Sequence, residues 1–207
     1  MNKFLNISFS IPLNSKVFLA VQKLIKKSEK YILFIILSLI SVYAFTVYLL
    51  NGLGLSYNDA RSHLDIGRRV VEGLKPGVAQ LGSVWLPLPH LLMISTVWND
   101  FMWHTGLSGA IVSMASFVFT GILVYFYLRK LRVGLLGCLV GVFVFVANMN
   151  VLYMQSTAMT ELLLMFTMTA AAYDLLVWFQ KNTLLNLIKA AFFIMLATLV
   201  RYDGMVS

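Results

Sequence analysis

Acidic side chains are scarce in this chain, eight in 207 residues, and two of them stand where a carboxylate could do chemistry: Asp59 and Glu161. Asp59 lies in the densest run of polar residues, SYNDARSHLDIGRRVVEGLKPGVAQLGSVWLPLPH, which spans 56–90 and holds Arg61, Arg68, Arg69, Lys75, His63 and His90. On a helix Asp59 and His63 are four apart and share a face. A carboxylate there could take a proton from a hydroxyl, and the imidazole could ligate a metal, bond a substrate or simply bond the acid. The plainer readings are a capping box from Ser56 to Asp59 and a Glu161 favoured by the dipole of the helix it starts. Arg61/Asp65, Asp65/Arg69 and Arg68/Glu72 repeat the same spacing, as a solvated charged face would.

Other polar groups could bind a ligand beside these acids. Gln80, Trp85 and the Gly77, Gly82 pair lie in a segment of little periodicity, suited to a loop packed against a substrate. Trp85 could stack on a sugar or merely sit at a water interface, as aromatics there do. His90 follows Pro87-Leu88-Pro89 and enters an apolar run, where a buried hydrogen-bonded histidine is the simpler expectation. Further on, Asn148, Gln155 and their neighbours form an uncharged polar cluster able to bond adjacent helices, and Arg201-Tyr202-Asp203 closes the last apolar run. Asp59, His63 and Glu161 are the candidate ligands should a divalent metal take part.

The elements that must hold these groups are apolar. Hydrophobic residues make up 60% of the chain and charged residues 12%, with a mean hydropathy of +0.85, against roughly 25% charged in soluble domains. The expectation is an all-α, polytopic transmembrane bundle. Uncharged or nearly uncharged runs at 31–50, 108–128, 133–160, 162–180 and 182–200 give about five spans, each near the roughly 20 residues a crossing helix needs. The net charge of +8 is read as a topology signal, and nucleic-acid binding is set aside. Cys138 is the only cysteine, which excludes an intrachain disulfide and a cysteine-based metal site.

Orientation turns on 86–98, LPLPHLLMISTVW, which has two prolines at its start and Asn-Asp directly after it. If it does not cross, Arg129, Lys130, Arg132, Lys181, Lys189 and the six lysines of 1–30 face the inside, leaving Arg61, Arg68, Arg69, Lys75 and Arg201 outside. Eleven against five satisfies the positive-inside rule, and counting 86–98 as a span reverses the balance. The basic segment 1–30 then reads as an amphipathic helix on the inner surface or a solvated tail, and 51–107 as a long outer loop carrying membrane-parallel helices. Ser56 should open one such helix, running to Gly73 with Ala60, Leu64, Gly67, Val71 and Leu74 on its apolar face. Asp59, Glu161 and Arg201-Tyr202-Asp203 then share the outer face, whereas Asp174 and Lys189, the charges inside spans, lie near the inner end, which disfavours a transporter.

The order of YNDARSHL in the first outer loop, YLRKLR at an inner turn, YMQSTAMTE at an outer turn and a closing LVRYDG resembles the GT-C superfamily of membrane glycosyltransferases, and within it the protein O-mannosyltransferase and aminoarabinose-transferase branch. The resemblance covers nearly all of 31–207. It implies transfer of a sugar from a polyprenyl-phosphate carrier to an acceptor at the outer face of the cell membrane, with the N-terminus cytoplasmic. It places the catalytic acid on Asp59, the second-loop acid on Glu161 and a carrier-phosphate contact on Arg201, with Arg68 or Arg69 as further phosphate partners. Asn58-Asp59 departs from the Asp-Glu pair common in such loops, and relatives continue with more spans, so an N-terminal portion of a longer module is expected. The alternative is a non-catalytic membrane subunit that binds lipid-linked sugar or scaffolds a partner.

Overall fold

The structure, a computed structural model, describes residues 15–81 and 85–205; for 15–27, Asp203 and Met205 it describes the backbone alone. Every regular element among the described residues is helical. In chain order they are α1 (Ser15–Leu50), α2 (Asn58–Val71), α3 (Pro87–Val97), α4 (Asp100–Thr105), α5 (Leu107–Lys130), α6 (Leu135–Val146), α7 (Met149–Met154), α8 (Glu161–Lys181) and α9 (Leu184–Val200), with short 3-10 turns at Val78–Gln80 and Tyr202–Met205. The stretch 28–50 of α1, together with α5 and α8, is long and apolar enough to cross a membrane; α3, α6 and α9 are apolar but shorter. Large apolar side chains cover the outside of the bundle, Leu39 at 65% and Leu136 at 77% exposure among them, a pattern compatible with lipid as the surrounding solvent.

Three boundaries differ from those expected. The backbone from residue 15 belongs to the same helix as the first apolar run, so 15–30 lengthens α1 instead of forming an element apart, and residues 1–14 lie outside the described residues. The run 133–160 is not one helix. It breaks after α6, which at 12 residues rises only about 18 Å; Asn148 then caps α7 by accepting from the amides of Asn150 and Val151 at 3.0 and 3.3 Å. Finally, α2 starts at Asn58, with Tyr57 as its N-cap and no side-chain capping bond. The Ser56–Asp59 capping box does not form. The apolar face of α2 is also shorter than its spacing suggested: Ala60, Leu64 and Gly67 are buried, but Val71 and Leu74 are exposed at 39% and 106%.

α5 is the hub. It packs against α1, α6 and α8 in the bundle and against α2, α3 and α4 at one end. Its buried face carries Gly109, Ser113, Ser116, Thr120 and Gly121, small residues that let neighbouring backbones come close where dispersion and hydrogen bonds must drive packing. Leu37 of α1 fills the space over Gly121, and Leu33, Phe117, Val118, Tyr125, Cys138, Val142 and Leu162 complete that core.

The second core joins a cap, made of α2, α3 and α4, to the bundle. Ala60 and Leu64 of α2 and Met93 and Val97 of α3 pack on Ala158 and Met159, which lie in a non-helical turn whose residues 155–160 are all buried. The tightest approach is at Gly109, where an added Cβ would fall 2.6 Å from the Cα of Ala158. Backbone cannot yield as a flexible side chain does, so Gly109→Val should destabilise the fold by about 1–3 kcal/mol and lower the midpoint of thermal unfolding in detergent. Substituting Gly134, whose Cβ would meet nothing within 4 Å, should not.

Candidate functional site

The cap, the turn and the end of α9 enclose a cavity of about 480 Å³ lined by Tyr57, Asp59, His63, Trp85, Leu86, Met154, Met159, Thr160, Glu161, Val200, Arg201 and Tyr202. Of the residues singled out in the sequence, Asp59, His63, Trp85, Glu161, Arg201 and Tyr202 meet here. The side chain of Asp203 lies outside the described residues, as does Gly82.

Each polar group reaches the cavity for a local reason. Asp59 is in the first turn of α2, where the helix dipole favours a carboxylate; it is exposed and makes no hydrogen bond or ion pair with another described residue. Glu161 is the first residue of α8 and is delivered by the buried turn. Arg201 caps α9 in extended conformation, and the 3-10 turn after it folds back so closely that a Cβ on Gly204 would lie 2.4 Å from the Ala197 carbonyl oxygen. Arg201 Nη1 donates to Glu161 Oε1 at 2.6 Å, while Glu161 Oε2 is buried without a hydrogen bond.

His63 is not the partner of Asp59. Its Nδ1 lies 2.9 Å from Nε2 of His90, and its ring is 5.0 Å from that of Trp85. Both histidines are buried, at 2% and 0% exposure. Burial, the facing His90 ring and the charge of Arg201 depress His63 to about 4; burial, partly opposed by the Leu86 carbonyl, does the same to His90. The pair is neutral at pH 7. His90 is thus the buried, hydrogen-bonded residue its setting suggested, and it does not line the cavity.

The remaining candidates lie elsewhere. Gln155 is wholly buried: its Oε1 accepts from Ser41 Oγ at 2.6 Å, and its Nε2 donates to the Ser41 carbonyl at 3.2 Å and to Ser156 Oγ at 2.6 Å. It ties α1 to the turn and is not in contact with the cavity. Gln80 is half-buried and donates to the Lys75 carbonyl, and Arg69 lines surface depressions away from Glu161. Arg68 is bound by two carboxylates, Glu72 at 2.7 Å and Asp100, and the hydrogen bond it gives Asp100 holds that carboxyl below its ordinary range. Of the three spaced pairs on α2, only Arg68/Glu72 forms. Asp65 instead accepts from Trp103 Nε1 at 2.9 Å, and Arg61 and Arg68 stack over the Trp103 ring at 4.7 and 4.3 Å from its centroid.

Trp103, Tyr57, Met159 and Thr160 were not singled out. The only signal for Trp103 was an aromatic following the Asn99-Asp100 break, and nothing local marks it as the partner of a helix some forty residues earlier. The metal candidates Asp59, His63 and Glu161 line the same cavity, but among the described residues no group of three or more His, Cys, Asp and Glu side chains is placed to hold an ion, and one ring nitrogen of His63 is taken by His90. No family model matches the chain, and neither a curated protein nor a solved structure matches it.

The neutral histidine pair makes stability pH-dependent with a definite sign. Between the ordinary value of 6.5 and about 4, the unfolded chain binds protons that the folded chain does not, so stability falls as pH falls. At about 1.4 kcal/mol per unit for each histidine, the melting temperature should hold from pH 8 to 7 and drop steeply below 6. A His63→Gln, His90→Gln double variant should flatten that drop.

Proposed function

We propose that this chain is a multi-pass membrane glycosyltransferase of GT-C type, or the part of one that carries its catalytic acids, moving a sugar from a polyprenyl-phosphate carrier to an acceptor hydroxyl at the outer face. The observation that carries the reading is the convergence of Asp59, Glu161 and Arg201 on one cavity from three elements far apart in sequence. The short apolar helices α6, with α7, and α9 complete five crossings in this reading, and the eleven-to-five distribution of basic residues sets the cavity on the outside with the N-terminus in the cytoplasm.

The two carboxylates have different surroundings and therefore different roles. Asp59 is exposed and bonded to no other described residue, open to receive a proton. Glu161 is held by Arg201 and serves to aim that guanidinium. In the proposed step the acceptor oxygen attacks the anomeric carbon and gives its proton to Asp59. The bond from that carbon to the phosphate oxygen breaks, and the electron pair leaves with polyprenyl phosphate, inverting the centre. A guanidinium has five N–H donors, so Arg201 can keep its bond to Glu161 and still meet the charge that grows on the leaving phosphate. Arg68 does not line this cavity and is not placed for that task.

Polyprenyl-phosphate sugars carrying a radiolabel, added to membranes that contain the chain with and without chelator, test this directly. Transfer should occur, and Asp59→Asn should lower it by about 10²–10⁴-fold with the melting temperature little changed, since Asp59 has no hydrogen bond or ion pair with another described residue to lose and gives up only its favourable place at the helix dipole. Near-normal turnover in that variant removes Asp59 from the base role.

A further inference from the structure

α2 buries the first part of its apolar face and bares the end of it. Ala60, Leu64 and Gly67 are covered, whereas Val71 is exposed and, just beyond the helix, Leu74 and Val78 are exposed at 106% and 70%. Two hydrogen bonds close this stretch into a loop with Leu74 at its tip. The Gly77 amide donates to the Val70 carbonyl at 2.9 Å, at a φ of 138° that favours glycine, and Gln80 Nε2 donates to the Lys75 carbonyl at 2.9 Å. The fold thus holds aliphatic side chains in a position where only an apolar surrounding would stabilise them.

The charges beside them are of one sign. Glu72 is the single acid between Asp65 and Asp100, and Arg68 holds it at 2.7 Å. The side chains of Arg69 and Lys75 make no hydrogen bond or ion pair with another described residue. With Gly73, Leu74 and Gln80 they line a surface depression of about 340 Å³ that no acid borders.

We infer that this depression binds the phosphate of an anionic phospholipid, with Leu74 and Val78 set against the glycerol and upper acyl region of the same lipid. Two cations without an acid call for an anion, and Leu74 in the same depression calls for apolar matter attached to it, which inorganic phosphate lacks. The location agrees, because the cap closes one end of a bundle with helices long and apolar enough to cross a membrane, where headgroups meet the first methylenes. Long basic side chains reach phosphates there while their stems rest in the apolar layer. Each cation near an anionic surface adds about fivefold in affinity. The inference stands whether or not the chain transfers sugar.

The test uses the full chain with Val78→Cys carrying a fluorescent thiol dye; Cys138 is buried and does not compete for it. The labelled chain is placed in phosphatidylcholine nanodiscs. Phosphatidylglycerol or phosphatidylcholine bearing a nitroxide near the top of the acyl chain is then titrated in. Phosphatidylglycerol should quench the dye at a lower mole fraction than phosphatidylcholine. Arg69→Gln with Lys75→Gln should remove that preference, about fivefold for each cation, at an unchanged melting temperature, and Arg69→Lys with Lys75→Arg should keep it. Excess inorganic phosphate should leave it intact. Equal quenching by the two lipids, quenching by neither, or loss of the preference on adding inorganic phosphate overturns the inference; the last result would mark an anion site that takes no lipid, and dye shielded from both lipids but self-quenched between labelled copies would mark a second copy of the chain.

Discussion

Backbone amides and carbonyls shut away from water must find partners, and that constraint shapes the turn between α7 and α8. Its residues 155–160 are all buried although they are not helical, a state tolerated at membrane depth only inside protein. The surrounding helices meet the demand. Ser113 of α5 donates to the Met159 carbonyl at 2.9 Å, the amides of Ser156 and Thr157 return to Tyr153 and Met154, and Gln155 clasps Ser41 of α1 through both ends of its amide. An unpartnered buried polar group costs about 1–3 kcal/mol, so this small network weighs heavily in a fold whose net stability is of the order of ten.

The same turn determines where the candidate site sits. Glu161 follows it directly, so its carboxylate starts α8 at the cap end of the bundle and is not on a loose loop. The cap bearing Asp59 and His63 rests on the other side of the turn through Ala158 and Met159, and Tyr153 donates to the Leu53 carbonyl while stacking near Tyr48 and Tyr57. Three parts of the site are thereby referred to one rigid piece of backbone. Gly109 and Ser113 follow from this: the hub helix must present small or hydroxyl-bearing residues where the turn presses against it.

Helicity, the length of the apolar runs and the gathering of Asp59, Glu161 and Arg201 at one end were legible in the chain, because each depends on composition, local periodicity or charge counting. What was not legible depends on contacts between segments far apart. The run 133–160 contains no charge, so hydropathy alone reads it as continuous; the break is dictated by Asn148, Gln155 and the hydroxyls around it, which find partners only once α1 and α5 are in place. Likewise Gln155 has the same type as a ligand-binding amide, and only Ser41, 114 positions earlier, makes it structural. On α2 the local spacing suggested three ion pairs, but exposed pairs of that kind are worth under about 1 kcal/mol. The indole of Trp103, stacked between Arg61 and Arg68 and donating to Asp65, draws off two of them and fastens α2 to α4.

The pairing of His63 shows how the fold keeps Asp59 out of a bond with its neighbour on the same helical face. Sharing a helical face, Asp59 and His63 could have bonded one another, but that would have drawn a carboxylate into the cap, where burying an ion is costly. A second neutral imidazole satisfies His63 with no charge to desolvate, and it comes from α3, which already packs on α2 through Met93 at Gly67. Pairing the histidines with each other leaves Asp59 exposed at the cavity, with no hydrogen bond or ion pair to another described residue. Glu161, bound to Arg201 at the same cavity, is the contrasting case, and which of the two acids is engaged follows from what the fold sets beside each.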